Sequence, residues 1–86
     1  FGDYDRYFWA THAGAELDLL LLRKNKRWGF EFKFTETPKI TKSMRIAFED
    51  LKLQKLWIVY PGNKNVLLDK KIELVGLDHL EEITLI

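Results

Sequence analysis

The hydrophobic periodicity of the chain changes at Pro38, and no other feature constrains the fold as tightly. Upstream the apolar residues alternate at period two. Phe30, Phe32 and Phe34 mark one side of an extended segment that the pattern runs from Trp28 to Phe34. Downstream, Ile40, Met44, Ala47, Phe48 and Leu51 recur at helical spacing and form the stripe of an amphipathic helix. Thr41 is its expected N-cap, because its hydroxyl can satisfy an amide of the first turn. Lys42, Arg45, Glu49 and Lys52 fall away from the stripe.

The remaining segments follow from the same reasoning. Tyr7 to Thr11 is rich in strand formers and His12-Ala13-Gly14 punctuates it. Glu16 to Arg23 is nearly continuous in apolar character and reads as a central strand, with Lys24-Asn25-Lys26 as the turn that follows. Leu56 to Tyr60 is a short run of buried-strand type, stopped by Pro61-Gly62-Asn63. Ile72 to Val75 offers a further strand, and Leu77 to Leu80 a helical turn. The expected order is β-β-β-α-β plus one strand: an α/β (α+β) fold with a mixed sheet. A helix between two strands favours a parallel, right-handed crossover. Its stripe covers one sheet face. The other face also carries large apolar groups, and its cover is expected from an upstream helix, a partner chain or another domain.

With 86 residues, positions 1–86 make a single small domain. The absence of cysteine excludes a disulfide scaffold, a thiolate metal site and thiol catalysis. Apolar runs such as Leu19 to Leu22 are far too short to span a membrane, and Phe1-Gly2-Asp3 does not open a signal peptide. A cytoplasmic setting without membrane contact is expected. The chain starts without Met and is expected to be part of a longer protein.

A formal charge of +1 conceals an asymmetry. Residues 23–45 hold eight basic side chains against Glu31 and Glu36, whereas the rest of the chain is acidic. A basic middle suits a polyanion. On charge alone a solvated hairpin tip and an ordinary charged helix face are the better explanation, because such asymmetry is common.

Four charges interrupt the apolar pattern of two neighbouring strands. Residues two apart share a face, so Glu16 pairs with Asp18 and Glu31 with Lys33. Leu17, Leu19 and Leu21, and likewise Phe30, Phe32 and Phe34, are expected to point the other way. Whether the charged pairs meet depends on register. If paired positions sum to 49, Asp18 faces Glu31 and Glu16 faces Lys33; if they sum to 51, Asp18 faces Lys33. An even sum separates Asp18 from Glu31 unless a bulge near Gly29 intervenes. Two converging carboxylates suit a hard cation such as Mg2+ or Mn2+, which takes oxygen ligands. Such an ion activates water and polarises a phosphate, and a nearby ammonium stabilises the developing charge. The plain reading is a set of exposed cross-strand ion pairs, each contributing at most about 1 kcal/mol.

The residues Phe8-Trp9-Ala10-Thr11-His12-Ala13-Gly14-Ala15-Glu16-Leu17-Asp18, Gly29-Phe30-Glu31-Phe32-Lys33 and Thr41-Lys42-Ser43-Met44-Arg45, continued by Leu56-Trp57-Ile58-Val59-Tyr60-Pro61-Gly62, occur in an order that resembles the PD-(D/E)XK nuclease superfamily. Within it, the chain most resembles the C-terminal domain of unknown function of prokaryotic AAA+-type ATPases. The resemblance implies a restriction-endonuclease-like core whose usual upstream helix is missing here. It implies metal ligation by Asp18 and Glu31, a catalytic-type Lys33, and Glu16 as an additional acid. It also implies that residues 1–86 are the C-terminal part of an ATPase chain. No phosphate-binding GxxxxGK[ST] loop is present, so the ATPase core is not in this segment.

Two functions are then in competition. One is a nuclease-like domain of a prokaryotic ATPase, cleaving DNA phosphodiesters with Mg2+ or Mn2+. The other is a non-catalytic module that binds nucleic acid or protein for the parent ATPase, its partner in cis. A second copy of the chain is a further candidate partner. Lys24, Lys26 and Arg27 on the hairpin, and Lys42, Ser43 and Arg45 at the helix start, are the candidate nucleic-acid contacts. His12 is placed to assist the acidic strand, although a turn residue explains it better; His79 reads as structural or exposed. Trp9, Trp28 and Trp57 could stack bases, but their strand positions favour core packing.

Overall fold

The computed structural model describes residues 5–10 and 16–85, with the side chains of 7–10 and 16 outside the description. Six strands form one sheet in the order β1-β2-β3-β4-β6-β5. They are β1 (Asp5–Ala10), β2 (Glu16–Arg23), β3 (Lys26–Phe32), β4 (Lys55–Tyr60), β5 (Asn65–Asp69) and β6 (Ile72–Gly76). Helix α1 (Lys42–Leu51) joins β3 to β4, and a 3-10 helix (Leu77–Glu82) follows β6. The fold is mixed α+β. β1, β2 and β3 form an antiparallel meander, β3-β4 and β4-β6 are parallel, and β5 returns antiparallel on β6.

The β2–β3 turn sets the geometry of everything beside it. Lys24 (φ 49°) and Asn25 (φ 66°) are both left-handed, which is the backbone of a two-residue type I′ hairpin. Such a turn fixes the pairing from Arg23↔Lys26 outward to Leu19↔Phe30. Every pair in that ladder sums to 49, one of the two odd registers that sequence reasoning left open.

Thr41 caps α1 as expected, its hydroxyl accepting from the Met44 amide at 3.1 Å. The helix ends at Lys52, whose φ of 51° closes it in the left-handed conformation. Arg27 reaches across from β3 and donates through Nη1 to the Leu51 carbonyl at 3.2 Å. This contact ties the C-terminal end of α1 to the hairpin end of the sheet. The start of α1 therefore lies toward the opposite end, where β3 finishes.

Met44, Ala47 and Leu51 pack with Leu17, Leu20, Leu56 and Ile58 on one face of the sheet. Fully burying a side chain of this size stabilises the fold by about 1.5–3 kcal/mol. The opposite face holds Leu21, Trp28, Phe30, Trp57, Val59 and Val75, with the Phe30 and Trp57 rings stacked at 5.0 Å. Trp28 and Trp57 are thus core residues, whereas Trp9 lies where side chains are not described.

Four expectations change. The second face receives a partial cover from within the chain: Leu80, Ile83 and Leu85, themselves partly buried, pack against it. β3 stops at Phe32, and Phe32 and Phe34 are 40% and 95% exposed rather than part of a buried stripe. Leu17 lies with Leu20 on the helix face, not with Leu19 and Leu21. Finally, β5 is a strand that the pattern did not reveal, because all its residues are exposed and no burial periodicity marks it.

Candidate functional site

The displaced Leu17 reports a β-bulge. Against β1, Tyr7 pairs with Leu20 and Trp9 with Leu17, so Asp18 and Leu19 together oppose one β1 residue. The extra residue breaks the alternation of β2 between Leu17 and Leu20. The bulge lies on β2, not beside Gly29 of β3 as one sequence alternative had it. Its effect falls on Asp18, whose backbone amide turns to a side chain of β3 instead of the sheet ladder.

Two carboxylates are tied there, each to the backbone of the other's strand. Glu31 Oε1 accepts the Asp18 amide at 3.0 Å, and Asp18 Oδ2 accepts the Phe32 amide at 2.8 Å. Each acid is thus oriented by backbone from the other's strand. Glu31 is 6% exposed and is the buried charged residue among the described core, while Asp18 is exposed. Lys33 completes the group: its Nζ lies 3.9 Å from Glu31 Oε2, and its side chain is 39% exposed. A partly desolvated carboxylate needs such partners, since isolated burial of its charge is costly.

The donor chemistry suits a hard cation. An ionised carboxylate has lone pairs on both oxygens, so an amide bound to one oxygen fixes its orientation without using up its ligating capacity. The Glu16 side chain lies outside the described residues, as does His12. Among the described residues no cluster of three or more His, Asp or Glu side chains forms a metal cage. A cation at this place would take Asp18 and Glu31 as its protein ligands and complete its shell with water and phosphate oxygens, a coordination common for Mg2+.

The candidate contacts for nucleic acid separate into two groups. Lys24 and Lys26 sit at the hairpin tip, and Arg27 caps α1. The seven-residue span from Asp18 to Asn25 places that tip about 23 Å from the carboxylates at about 3.3 Å per strand residue. Lys42 and Ser43 begin α1 and lie toward the site's end of the sheet. Arg45 is engaged at 3.0 Å by Asp69, whose pKa is lowered first by the Lys70 amide and then by Arg45 itself. His79 lies elsewhere, between Glu82 and the Asn63 carbonyl. The site stands at the carboxyl end of β3, and β3, β4 and β6 all run parallel toward that end. Open sheets with parallel strands place ligands at that end.

Sequence reasoning did not find Arg27 as a helix cap or Phe34 as an exposed aromatic. No local signal marks the first. The second was hidden by a period-two pattern that outlasts the strand.

Comparison with known proteins gives a family. The model for "Domain of unknown function (DUF4143)" matches residues 2–80. Uncharacterized proteins of Mycobacterium tuberculosis and Mycobacterium bovis are each 43% identical to the chain over 74 residues, which cover 86% of this chain and 17% of theirs. The chain therefore spans about one sixth of the length of these curated relatives. No solved structure matches at the same level of significance.

Proposed function

The chain belongs to the DUF4143 family, and from that premise we propose that it is a PD-(D/E)XK-like domain which cleaves phosphodiesters in DNA with Mg2+ or Mn2+. The observation that carries this reading is the reciprocal lock between Asp18 and Glu31, with Lys33 beside it. Asp18 and Glu31 would hold the cation. When bound, such an ion lowers the pKa of a coordinated water and draws charge from the scissile phosphate. Glu31, held by the Asp18 amide, keeps one carboxylate fixed in a poorly solvated place, where electrostatic interactions are strong. Asp18 presents the second carboxylate toward solvent, held by the Phe32 amide. The Lys33 ammonium is too far from Glu31 for a tight hydrogen bond, so it can turn to a phosphate oxygen and stabilise the negative charge that builds there.

Most of each relative's length lies outside the region matched by this chain. The reading gives the parent protein an ATPase core that this domain serves. The test is DNA cleavage by the full-length protein in Mg2+ or Mn2+. Activity lost in Asp18→Asn, Glu31→Gln and Lys33→Ala supports the reading; cleavage unchanged in all three contradicts it.

One observation favours a second reading. The Lys33 ammonium, 3.9 Å from Glu31 Oε2, offsets part of the buried charge, which is a role a cation would otherwise fill. A domain of this kind that binds nucleic acid or protein without cutting would show salt-sensitive binding and no divalent-cation uptake.

A further inference from the structure

Phe34 is 95% exposed and follows directly on Lys33. Phe32, two residues before it, is 40% exposed at the end of β3. Two large aromatics therefore face water at and just past the end of β3, where the Phe32 amide meets Asp18. Cations are interleaved with these aromatics along the chain: from Phe32 to Lys42 it carries Lys33, Lys39 and Lys42 against Glu36, both Lys39 and Lys42 are exposed, and the Asp18 and Glu31 carboxylates lie at the start of this stretch.

We propose that Phe34, assisted by Phe32, is a base-stacking platform that selects single-stranded nucleic acid for this site. The inference rests on the reading of the Asp18–Glu31–Lys33 group as one that acts on phosphodiesters, and it names the form of the substrate. In a duplex the base faces are already stacked on one another and are closed to a side chain. An unpaired base presents both faces. Aromatics interleaved with cations are the pattern that holds such strands: the ring takes the base and the ammonium groups take the flanking phosphates. A protein partner would be expected to meet a different surface, because lysine is depleted from the centres of protein–protein interfaces. Here lysine separates the two aromatic residues. The platform is distinct from the basic hairpin tip at the far end of β2 and β3.

Binding of a fluorescent oligothymidylate to the full-length protein, followed by anisotropy without divalent cation, tests this. Wild type should bind the single strand more tightly than a duplex of equal length. Phe34→Ala should weaken the single-strand complex about tenfold, within the range for one stacked base, and Phe34→Trp should restore it. Duplex binding should be the same in all three proteins. Phe34 is too exposed for its removal to unfold the domain. Equal single-strand affinity in wild type and Phe34→Ala, or a preference for duplex, overturns the proposal. So does a loss of protein self-association, seen by sedimentation, in place of a loss of DNA binding. The cation-free measurement keeps this result separate from the cleavage reading: Asp18→Asn should abolish cleavage and leave the Phe34 effect on binding intact.

Discussion

Asp18 and Glu31 are locked to each other through the backbone: Glu31 Oε1 takes the Asp18 amide at 3.0 Å, and Asp18 Oδ2 takes the amide of Phe32, the residue after Glu31, at 2.8 Å. The strand ladder is thereby replaced, at one place, by carboxylates. Backbone amides that would have paired with carbonyls instead orient two acids.

That exchange separates shape from charge. Asp18→Asn and Glu31→Gln keep an oxygen acceptor for each amide and should unfold in urea close to wild type. Glu31→Ala leaves its buried place and the Asp18 amide without a partner, and should lose about 1–3 kcal/mol. Asp18→Ala should lose less, because the bond it breaks lies at the exposed end of β3, where water can take its place. Equal losses for Glu31→Gln and Glu31→Ala would mean that charge, not hydrogen bonding, holds the site together.

The hairpin turn transmits its geometry to the acids. Lys24 carries a positive φ that an ordinary side chain adopts reluctantly, so Lys24→Gly should raise stability by up to about 1 kcal/mol. Deleting Asn25 should do the opposite at the site. A two-residue loop would then be Lys24-Lys26, which pairs Arg23 with Arg27, sets Asp18 opposite Phe32 instead of Glu31 and should weaken cation binding. Thermal unfolding measures the first effect and a Mn2+ titration the second.

The meander was legible as strand-forming runs separated by short turns, the amphipathic helix by the period of its one buried face, and the core strand Leu56 to Tyr60 by an unbroken apolar run buried on both faces. The acids were legible as charges placed in apolar strands. The tie between their strands was not, because the choice between registers rests on two left-handed residues, Lys24 and Asn25, and their conformation leaves no hydrophobic pattern. The bulge at Asp18–Leu19 was equally hidden, since an extra residue in a run of leucines does not disturb composition. β5 was invisible for the simplest reason: an edge strand exposed along its whole length has no buried side to read.

Gly29 marks a close approach across the helix face. A Cβ added there would lie 2.7 Å from Leu53 Cδ1 and 3.1 Å from both Leu17 methyl carbons. All three residues are buried, so Leu53 and Leu17 have little room to give. Gly29→Ala should cost about 1–3 kcal/mol by overpacking, read as a lower urea midpoint. Gly29→Ala combined with Leu53→Ala should lose less than the two single variants added together, since the second change removes the nearest clash.

The cover formed by the 3-10 helix is expected to respond to pH through His79. Its pKa is raised, first by the hydrogen bond to Glu82, and further by the Glu82 charge, the Asn63 carbonyl and Asp78, against an opposing desolvation. A raised pKa in the folded state stabilises the protonated form. The contribution is fully present below the unfolded value of about 6.5 and is lost as pH rises through the higher folded value. The 3-10 helix should therefore exchange its amides faster, and Leu80 should loosen, as pH rises through the folded His79 pKa. NMR titration of His79 alongside hydrogen exchange of residues 77–83 checks this, and Glu82→Gln should lower the His79 midpoint.

The most direct measurement is Mn2+ binding to the full-length protein, followed by electron paramagnetic resonance, in wild type, Asp18→Asn and Glu31→Gln. The two variants keep their amide contacts and lose only carboxylate charge. The account predicts that wild type removes Mn2+ from solution and that each variant abolishes or greatly weakens this, with folding intact. Wild type that leaves Mn2+ free, or variants that bind it as wild type does, would contradict a shared cation between Asp18 and Glu31.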